Sequence, residues 1–224
     1  MRDWMKRAFD VAVSGGALAA LAGPLGLIAL VTRLDSPGPV LFRQTRIGKD
    51  RRPFEILKFR TMVHRPPGSV DQHQEAVVSG GEDSRITRAG RLLRRTSLDE
   101  LPQLWNILRG EMSIVGPRPV LPEQLEVVPP ELMTRFEVRP GLTGLAQVRG
   151  RRSLGWMEQL ACDAEYVATR SFLGDLAIVA RTFRVVLSGS GVYADASRNW
   201  RAYRGRVAGE GKEPEIAGDG RAVT

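Results

Sequence analysis

Hydrophobic and polar residues follow one another along this chain in patterns that predict most of its elements. Residues 11–32 carry no charged side chain, a run long enough to span a bilayer. Residues 40–44 and 54–59 are rich in strand-forming side chains and flank a turn at 48–50, which predicts a β-hairpin. Further on, helical spacing predicts a helix with one buried face, formed by Leu98, Leu101, Leu104, Trp105 and Leu108.

The later part of the chain alternates between short extended stretches and helices. Residues 86–95 place arginines among leucines, which predicts a basic amphipathic helix suited to an anionic membrane surface or a phosphate-rich ligand. Residues 111–116 predict a turn and a short buried strand, and residues 145–148 an extended segment. Apolar residues at helical spacing predict further helices over residues 156–169 and 172–187.

The uncharged N-terminal run allows three interpretations. Lys6 and Arg7 precede it and Arg33 follows it, so the positive-inside rule gives no orientation and favours a segment that enters and leaves on the cytoplasmic face. Gly23 and Pro24 give the helix a natural place to bend, which suits such a re-entrant helix. A single membrane span and a buried core helix are the alternatives.

Domain boundaries follow from these patterns. We expect a membrane-anchoring helix over residues 1–35 and one compact domain over residues 36–193. Residues 194–224 are rich in Gly, Arg and Glu and poor in apolar side chains, which predicts a disordered tail.

The net positive charge of the chain indicates acidic partners. The chain has 224 residues and a formal net charge of +8, which favours nucleic acid, anionic lipid or a phosphorylated substrate. Aromatic side chains are few and are not interleaved with the basic stretch, so a nucleic-acid stacking surface is not indicated. With 2 His and 1 Cys, the chain has neither a disulfide framework nor the ligands for a histidine metal site.

Two adjacent carboxylates, Asp99 and Glu100, stand at the mouth of the central predicted helix. Ser97 and Glu100 have the spacing of a capping box, in which case both acids would serve only the helix end. Pro102 favours instead a helix that starts near Asp99, because proline is tolerated where the N–H groups have no helical partner. The Asp99 carboxylate would then lie where a phosphate is favoured. Local sequence leaves both interpretations open.

Several cations are candidates for binding phosphate oxygens. Lys58 lies on the second predicted strand, and Arg94 lies in the basic helix directly before the acidic pair. Arg118 stands between Pro117 and Pro119, whose restricted backbone would present its guanidinium rigidly. Arg139 stands beside a second Pro-Gly turn.

Taken together, these residues resemble the bacterial sugar transferase family, the small monotopic phosphoglycosyl transferases that use a polyprenyl phosphate. The resemblance runs from about Lys6 to Tyr193. The motifs that carry it are Lys6-Arg7 with Asp10, Pro24, Ser36-Pro37-Gly38-Pro39-Val40-Leu41-Phe42, Gln44, Arg46 with Gly48, Lys58-Phe59-Arg60-Thr61-Met62, Ser97-Leu98-Asp99-Glu100-Leu101-Pro102-Gln103, Val115-Gly116-Pro117-Arg118-Pro119, Arg139-Pro140-Gly141-Leu142-Thr143-Gly144 and Gln147-Val148 with Gly150-Arg151.

The resemblance implies a mixed α/β fold, in which a re-entrant helix anchors a catalytic domain with amphipathic helices to the cytoplasmic face of the bacterial inner membrane. It implies transfer of a sugar phosphate from a UDP-sugar to polyprenyl phosphate with release of UMP, as the first membrane step of glycoconjugate or exopolysaccharide assembly. The implied partners are these two substrates and inner-membrane lipids, without nucleic acid; a homodimer is one option. The alternative is a non-catalytic membrane-attached scaffold or regulatory protein with a basic lipid-binding face.

The resemblance also implies roles for individual residues. Asp99 is the expected nucleophile, and Glu100 with Asp99 would hold Mg²⁺. Activation of the acceptor is a second role open to Glu100. Phosphate contacts are expected from Lys58, Arg94 and Arg118, and weaker nucleotide or sugar contacts from Arg139, Gln147 and Arg151. The chain departs from the family pattern where Gly23-Pro24 replaces the Ser-Pro that small members often carry at the membrane bend. The motifs do not identify the sugar.

Overall fold

The computed structural model describes residues 3–65, 83–150, 153–188 and 198–210. Two helices open the chain, α1 over Asp3–Ala20 and α2 over Ala22–Asp35, and they meet at a bend of 65°. The break falls at Leu21, just before the predicted Gly23-Pro24 position. Pro24 has no N–H to donate to the carbonyl of Ala20, and helical bonding resumes with the N–H of Leu25 on Leu21 at 2.8 Å.

Length and composition limit what these two helices can do in a bilayer. Within the described ranges, no single helix is both long enough and apolar enough to cross a membrane. The bent pair α1 and α2 meets that requirement only when its two helices are taken together.

The predicted hairpin is confirmed. Strand β1, Leu41–Ile47, pairs antiparallel with β2, Pro53–Phe59, so that Leu41 lies opposite Phe59. The tight turn between the strands places Asp50 and Arg51 at positive φ. The predicted basic helix is also present as α3, Arg88–Thr96, and the Thr87 hydroxyl accepts the Gly90 N–H at its start.

The remaining elements are short helices and strands that close around the hairpin. They are α4 (Gln103–Arg109), β3 (Ser113–Val115), α5 (Pro122–Leu125), β4 (Gly141–Thr143), α6 (Leu145–Arg149), α7 (Trp156–Thr169), α8 (Phe172–Ser188) and α9 (Trp200–Glu210). Single 3-10 segments cover Leu98–Glu100 and Pro130–Glu137. Strands β3 and β4 pair in parallel, with Ser113 opposite Gly141. The mixed helix and strand content agrees with the predicted fold class.

Three local predictions are wrong. Residues 145–148 form part of helix α6 instead of an extended segment, since helical bonding begins with the N–H of Val148 on Gly144 and buries Leu145 and Ala146. Trp105 is 52% exposed, because α4 turns Asn106 and Ile107 into the core. The central helix begins at Gln103, after a separate 3-10 turn over Leu98–Glu100.

Part of the predicted tail, Trp200–Glu210, is helical instead of disordered. Trp200 and Tyr203 pack against a buried hydrophobic cluster of the main domain, which supplies the apolar contacts that composition alone did not predict. The Asn199 side chain accepts the backbone N–H of Arg201 at 2.8 Å and so starts this helix. Tail residues 194–197 and 211–224 lie outside the described ranges, and the domain boundaries stay predictions.

Two hydrophobic clusters hold the domain together. The larger one joins the hairpin, α4, β3 and the helices α6 to α8, with Ile56, Ile107 and Met112 near its centre. The smaller one lies between the end of β1, the 3-10 segment Pro130–Glu137 and α7, around Phe136 and Leu160. The acidic pair lies in the 3-10 turn between α3 and α4, next to the larger cluster.

The start of α1 is fastened to the main domain by charged side chains. Arg7 donates to the carbonyls of Ile107 and Leu108 at 2.5 and 2.7 Å, which satisfies free carbonyls at the end of α4. The buried Asp10 carboxylate accepts the N–H of Ile114 and the hydroxyl of Ser113, both at 3.0 Å. Helix α1 therefore fixes both α4 and β3.

The end of α2 is fastened to the same domain. The buried Arg60 guanidinium, just after β2, donates to the carbonyls of Thr32, Ser36 and Pro37 at 2.6 to 3.0 Å. The Asp35 carboxylate accepts the N–H of Ala89 in the first turn of α3 at 2.9 Å. Both ends of the bent helix pair are thus docked on one body.

Candidate active site

The acidic pair lies in the 3-10 turn that separates α3 from α4. Ser97 ends α3 with a left-handed backbone, φ 58°, and its side chain does not cap the turn that follows. The capping-box interpretation is therefore wrong, since the Glu100 side chain binds cations instead. Pro102 precedes the first residue of α4, where its missing N–H breaks no helical bond.

Glu100 is the point where two predicted phosphate-binding cations meet. Its Oε1 atom lies 2.7 Å from Lys58 Nζ and 2.8 Å from Arg118 Nη2. The Lys58 and Glu100 side chains are 14% and 18% exposed, whereas Arg118 is 36% exposed. The cluster is therefore partly withdrawn from water but open on the Arg118 side.

The charges of this cluster set its protonation state. Burial raises the pKa of Glu100, but Arg118 and Lys58 outweigh it and hold that pKa well below its ordinary value. Burial lowers the pKa of Lys58, partly opposed by the charges of Glu100 and Asp99. Glu100 raises the pKa of Arg118, and Asp99 adds to the effect. At neutral pH Glu100 is thus an ionised carboxylate, and the negative charge of Asp99 acts on both cations.

Asn106 on α4 brings Lys58 to the acidic pair. Its Oδ1 accepts the N–H of Leu57 at 3.0 Å, and its Nδ2 donates to the carbonyl of Glu55 at 2.7 Å. These bonds complete the free edge of β2 and fix the register between the strand and α4. Asn106 was not predicted as a site residue, because a buried amide within a helix carries no local signal of its partner.

The parallel strands β3 and β4 aim Arg118 at the same point. A Cβ atom at Gly116 would lie 2.4 Å from the Arg139 carbonyl oxygen, so only glycine allows this close approach. The N–H of Gly141 donates to the Pro117 carbonyl at 2.8 Å and holds the start of the Pro-Arg-Pro segment. The Arg118 guanidinium then reaches Glu100.

A buried ion pair lies directly behind Arg118. Arg135 Nη2 donates to the Arg118 carbonyl oxygen at 2.7 Å and lies 2.8 Å from Asp163 Oδ2. Both side chains of the pair are 3% exposed. Neither was predicted as a site residue, since their segments are far apart in the chain.

The other predicted site residues make further contacts within the fold. Arg94 Nε donates to the Thr61 hydroxyl at 2.8 Å. Arg139 Nε donates to the Gly110 carbonyl at 2.8 Å, and the residue lines a cavity beside Lys6 and Tyr166. The Gln147 amide lies against the Gly144 backbone. Arg151 lies outside the described residues.

Asp99 and Glu100 supply carboxylate oxygens, the ligand type that Mg²⁺ prefers. Among the described residues there is no cluster of three or more Asp, Glu, His or Cys side chains able to hold a metal ion. Mg²⁺ does not require one, because it is commonly bound by one or two carboxylates together with substrate phosphates and water. Adjacent Asp99 and Glu100 offer carboxylates of that kind, and Lys58 and Arg118 both contact the Oε1 atom of Glu100.

Comparison with known proteins decides the family. A sequence model of the family described as bacterial sugar transferase matches residues 1–189. The chain belongs to the bacterial sugar transferase family. This confirms the predicted family.

Several named relatives share most of this chain. A UDP-glucose:undecaprenyl-phosphate glucose-1-phosphate transferase from Caulobacter vibrioides is 48% identical over 201 residues, covering 85% of this chain and 73% of the relative. A protein of the same name from Escherichia coli is 42% identical over 187 residues, covering 80% and 39%. A UDP-galactose-lipid carrier transferase from Erwinia amylovora is 37% identical over 202 residues, covering 85% and 42%. The predicted enzyme class, a sugar-phosphate transferase, is confirmed by these matches.

Proposed function

We propose that this protein transfers a hexose phosphate from a UDP-hexose to polyprenyl phosphate and releases UMP. The observation that carries the proposal is the cluster at Glu100, where Lys58 and Arg118 converge on a carboxylate adjacent to Asp99. Two fixed cations beside two acids suit phosphoryl transfer, in which most of the catalysis is positioning and charge stabilisation.

In the first step, a carboxylate oxygen of Asp99 attacks the phosphorus that bears the sugar. A new aspartyl O–P bond forms, and the bond from that phosphorus to the bridging oxygen of the diphosphate breaks. The bridging oxygen takes the electron pair and leaves as part of UMP. A carboxylate nucleophile divides one difficult transfer into two easier ones.

In the second step, a phosphate oxygen of the polyprenyl acceptor attacks the same phosphorus. The aspartyl O–P bond breaks, the Asp99 carboxylate is restored, and the product is a polyprenyl diphosphate sugar. Arg118, the most exposed member of the cluster, is available to the phosphate oxygens throughout. Lys58 holds Glu100 in place and adds positive charge.

The low pKa of Glu100 makes it unsuited to act as a general base. A carboxylate that two cations hold ionised is a weak proton acceptor. Glu100 therefore serves as a charge and metal ligand beside the nucleophile, in preference to activating the acceptor.

Mg²⁺ would be held by Glu100 and Asp99 together with the diphosphate of the donor. When bound, it neutralises charge on the phosphate oxygens. The test is to remove divalent ions from the purified protein with EDTA and to restore Mg²⁺ or Ca²⁺ separately. We expect activity to be lost with EDTA and restored by Mg²⁺, and full activity in EDTA would contradict this assignment.

The bent helix pair supports a re-entrant anchor on the cytoplasmic face of the inner membrane. Arg7 and Asp10 dock the start of α1, and Arg60 docks the end of α2, on the same catalytic body. A segment with both ends on one body must return to the side from which it entered. Exposed apolar side chains on α2, such as Leu27 and Leu30, would face lipid. A tag at either end should be accessible only from the cytoplasm, and a periplasmic N-terminus would contradict re-entrance.

The hexose is best sought among UDP-glucose and UDP-galactose, because the named relatives are described with these two sugars. The experiment measures UMP release from each UDP-sugar by full-length protein supplied with Mg²⁺ and undecaprenyl phosphate. We expect release from one of them and formation of a lipid-linked product.

The matched variants are Asp99→Asn and Glu123→Gln, of which the second lies on the short helix α5. Asp99→Asn should reduce UMP release by about a thousandfold or more, because the amide is no nucleophile. Glu123→Gln should behave as wild type. Absence of UMP release and of lipid product with every UDP-sugar would instead favour the non-catalytic membrane-attached scaffold.

A further inference from the structure

Arg135 and Asp163 form a buried ion pair that the reaction scheme above does not use. Each side chain is 3% exposed, and Asp163 Oδ2 lies 2.8 Å from Arg135 Nη2. Within the described residues, Arg135 Nε, Arg135 Nη1 and Asp163 Oδ1 have no hydrogen-bond partner. A buried pair with three unsatisfied atoms is a poor way to stabilise a fold, because desolvation offsets most of the attraction.

What this pair does make is one well-placed hydrogen bond. The same Nη2 atom that contacts Asp163 donates to the backbone carbonyl of Arg118 at 2.7 Å. Arg118 and Arg135 line one small cavity together with Pro117 and Phe136. Because Pro117 and Pro119 make this backbone rigid, fixing the Arg118 carbonyl also fixes the start of the Arg118 side chain.

We propose that Arg135 is a positioning residue for sugar-phosphate transfer, holding Arg118 against Glu100 through the Arg118 carbonyl while Asp163 anchors the guanidinium. The proposal rests on the function proposed above. Arg135 itself touches no reacting atom in this scheme; it acts through Arg118, whose Nη2 lies 2.8 Å from Glu100 Oε1.

The geometry predicts which substitutions preserve this role. One nitrogen atom of Arg135 serves both contacts, so the ammonium group of a lysine, with three donors, is able to replace it. Methionine fills the space but donates nothing. Arg135→Met should therefore slow formation of the phosphosugar adduct by about tenfold to a hundredfold, and Arg135→Lys should recover most of the loss.

A double-mutant cycle separates positioning from a general loss of structure. In an Arg118→Ala background the carbonyl at position 118 carries no functional side chain, so adding Arg135→Met should cause no further slowing. A merely structural role would slow the reaction by the same factor in both backgrounds. The matched control is Arg149→Gln. It removes an exposed ion pair between Arg149, at the end of α6, and Glu165 on α7, the helix that also carries Asp163, and it should leave the rate unchanged.

Asp163 supplies a second readout that does not depend on variants of Arg135. Burial raises the pKa of Asp163 to about 6, against the opposing charges of Arg135 and Arg118. As pH falls through about 6, protonated Asp163 loses its charge and should release Arg135, so adduct formation should slow in wild type. Asp163→Asn should show the slower rate at every pH, without that acid limb.

The experiment measures single-turnover adduct formation by full-length protein with labelled UDP-glucose or UDP-galactose and Mg²⁺, without lipid acceptor, at temperatures where each variant keeps its wild-type circular dichroism. The expected results are slowing in Arg135→Met, recovery in Arg135→Lys and non-additivity with Arg118→Ala. Equal slowing in both backgrounds, or a wild-type rate in Arg135→Met, overturns the positioning role. If Arg135→Met does not fold, the Asp163→Asn pH profile decides. Absence of any wild-type adduct contradicts the covalent function itself.

Discussion

Asn106 accepts the backbone N–H of Leu57 at 3.0 Å, and this bond fixes the position along β2 from which Lys58 reaches Glu100. Because α4 follows directly on the acidic turn, a helix that slips along β2 would separate the cation from the carboxylate. The candidate site thus depends on a buried amide that touches none of its charged groups.

Replacing this amide tests that dependence. Asn106→Leu keeps the branching and the number of side-chain heavy atoms but leaves the Leu57 N–H and Glu55 carbonyl unsatisfied, which should lower the free energy of unfolding by about 1–3 kcal/mol per group. UMP release should fall by about tenfold or more, since Lys58 loses its register. Glu111→Gln is the control, because it keeps the Leu57 contact. Urea melts and turnover check both effects, and unchanged turnover in a folded Asn106→Leu protein would refute the link.

The pKa of Lys58 predicts an alkaline limit to activity. Burial lowers that pKa below 10.5, so Lys58 loses its proton, and Glu100 loses a cation, at a lower pH than an exposed lysine would. Activity should decline as pH rises through this lowered pKa. Lys58→Arg keeps its charge throughout and should move the decline to higher pH. Lys49→Arg, at the hairpin turn, is the control, and an identical alkaline limb in all three proteins would exclude Lys58 as its source.

Arg60 is expected to hold the end of α2 against the rest of the domain. Arg60→Met removes the donors to Thr32, Ser36 and Pro37 and leaves their carbonyls without these partners. Hydrogen exchange in the peptide covering residues 32–40 should quicken by about tenfold or more. The control is Arg33→Met, which removes one exposed bond to Gly38. Equal exchange in both variants would show that Arg60 does not clamp α2.

Gly90 allows α3 to lie directly on the backbone after the hairpin. A Cβ atom there would lie 2.1 Å from the Thr61 carbonyl oxygen, so Gly90→Ala should push α3 away and destabilise the fold by about 1–3 kcal/mol. The matched variant Gly16→Ala lies in a helix and meets open space, so it should be neutral or slightly stabilising. Thermal unfolding of the two variants compares them directly, and equal stability would contradict the close approach.

Local periodicity was enough to predict the hairpin, the basic helix and the two long helices after residue 155. These elements follow from side chains within one segment, and the structure agrees with them. The exposure of Trp105 was not predictable in this way, because α4 buries a polar residue, Asn106, in its place. Helix α9 depends on contacts of Trp200 and Tyr203 with a distant cluster, which composition does not reveal.

The residues of the candidate site also differ in whether local sequence could predict them. Lys58, Arg118 and the acidic pair were predicted as site residues from their residue types and motifs, and the structure brings Lys58 and Arg118 onto Glu100. Arg139 was predicted on the same grounds but donates to the Gly110 carbonyl, a partner fixed by the fold. Neither Arg135 nor Asp163 was predicted, since a buried pair between distant segments has no sequence spacing to recognise. The assigned roles stay predictions.

The central claim is that Asp99 carries the sugar phosphate covalently. The most direct test incubates full-length protein with Mg²⁺ and the UDP-hexose that it uses, omits the lipid acceptor, and treats the product with hydroxylamine. Hydroxylamine converts an aspartyl phosphate to a stable hydroxamate, which mass spectrometry locates in the tryptic peptide covering residues 96–109. The account predicts a hydroxamate at Asp99, absent without UDP-hexose and abolished when undecaprenyl phosphate is added first. A hydroxamate at Glu100 or elsewhere, or none while UMP is released, would contradict it.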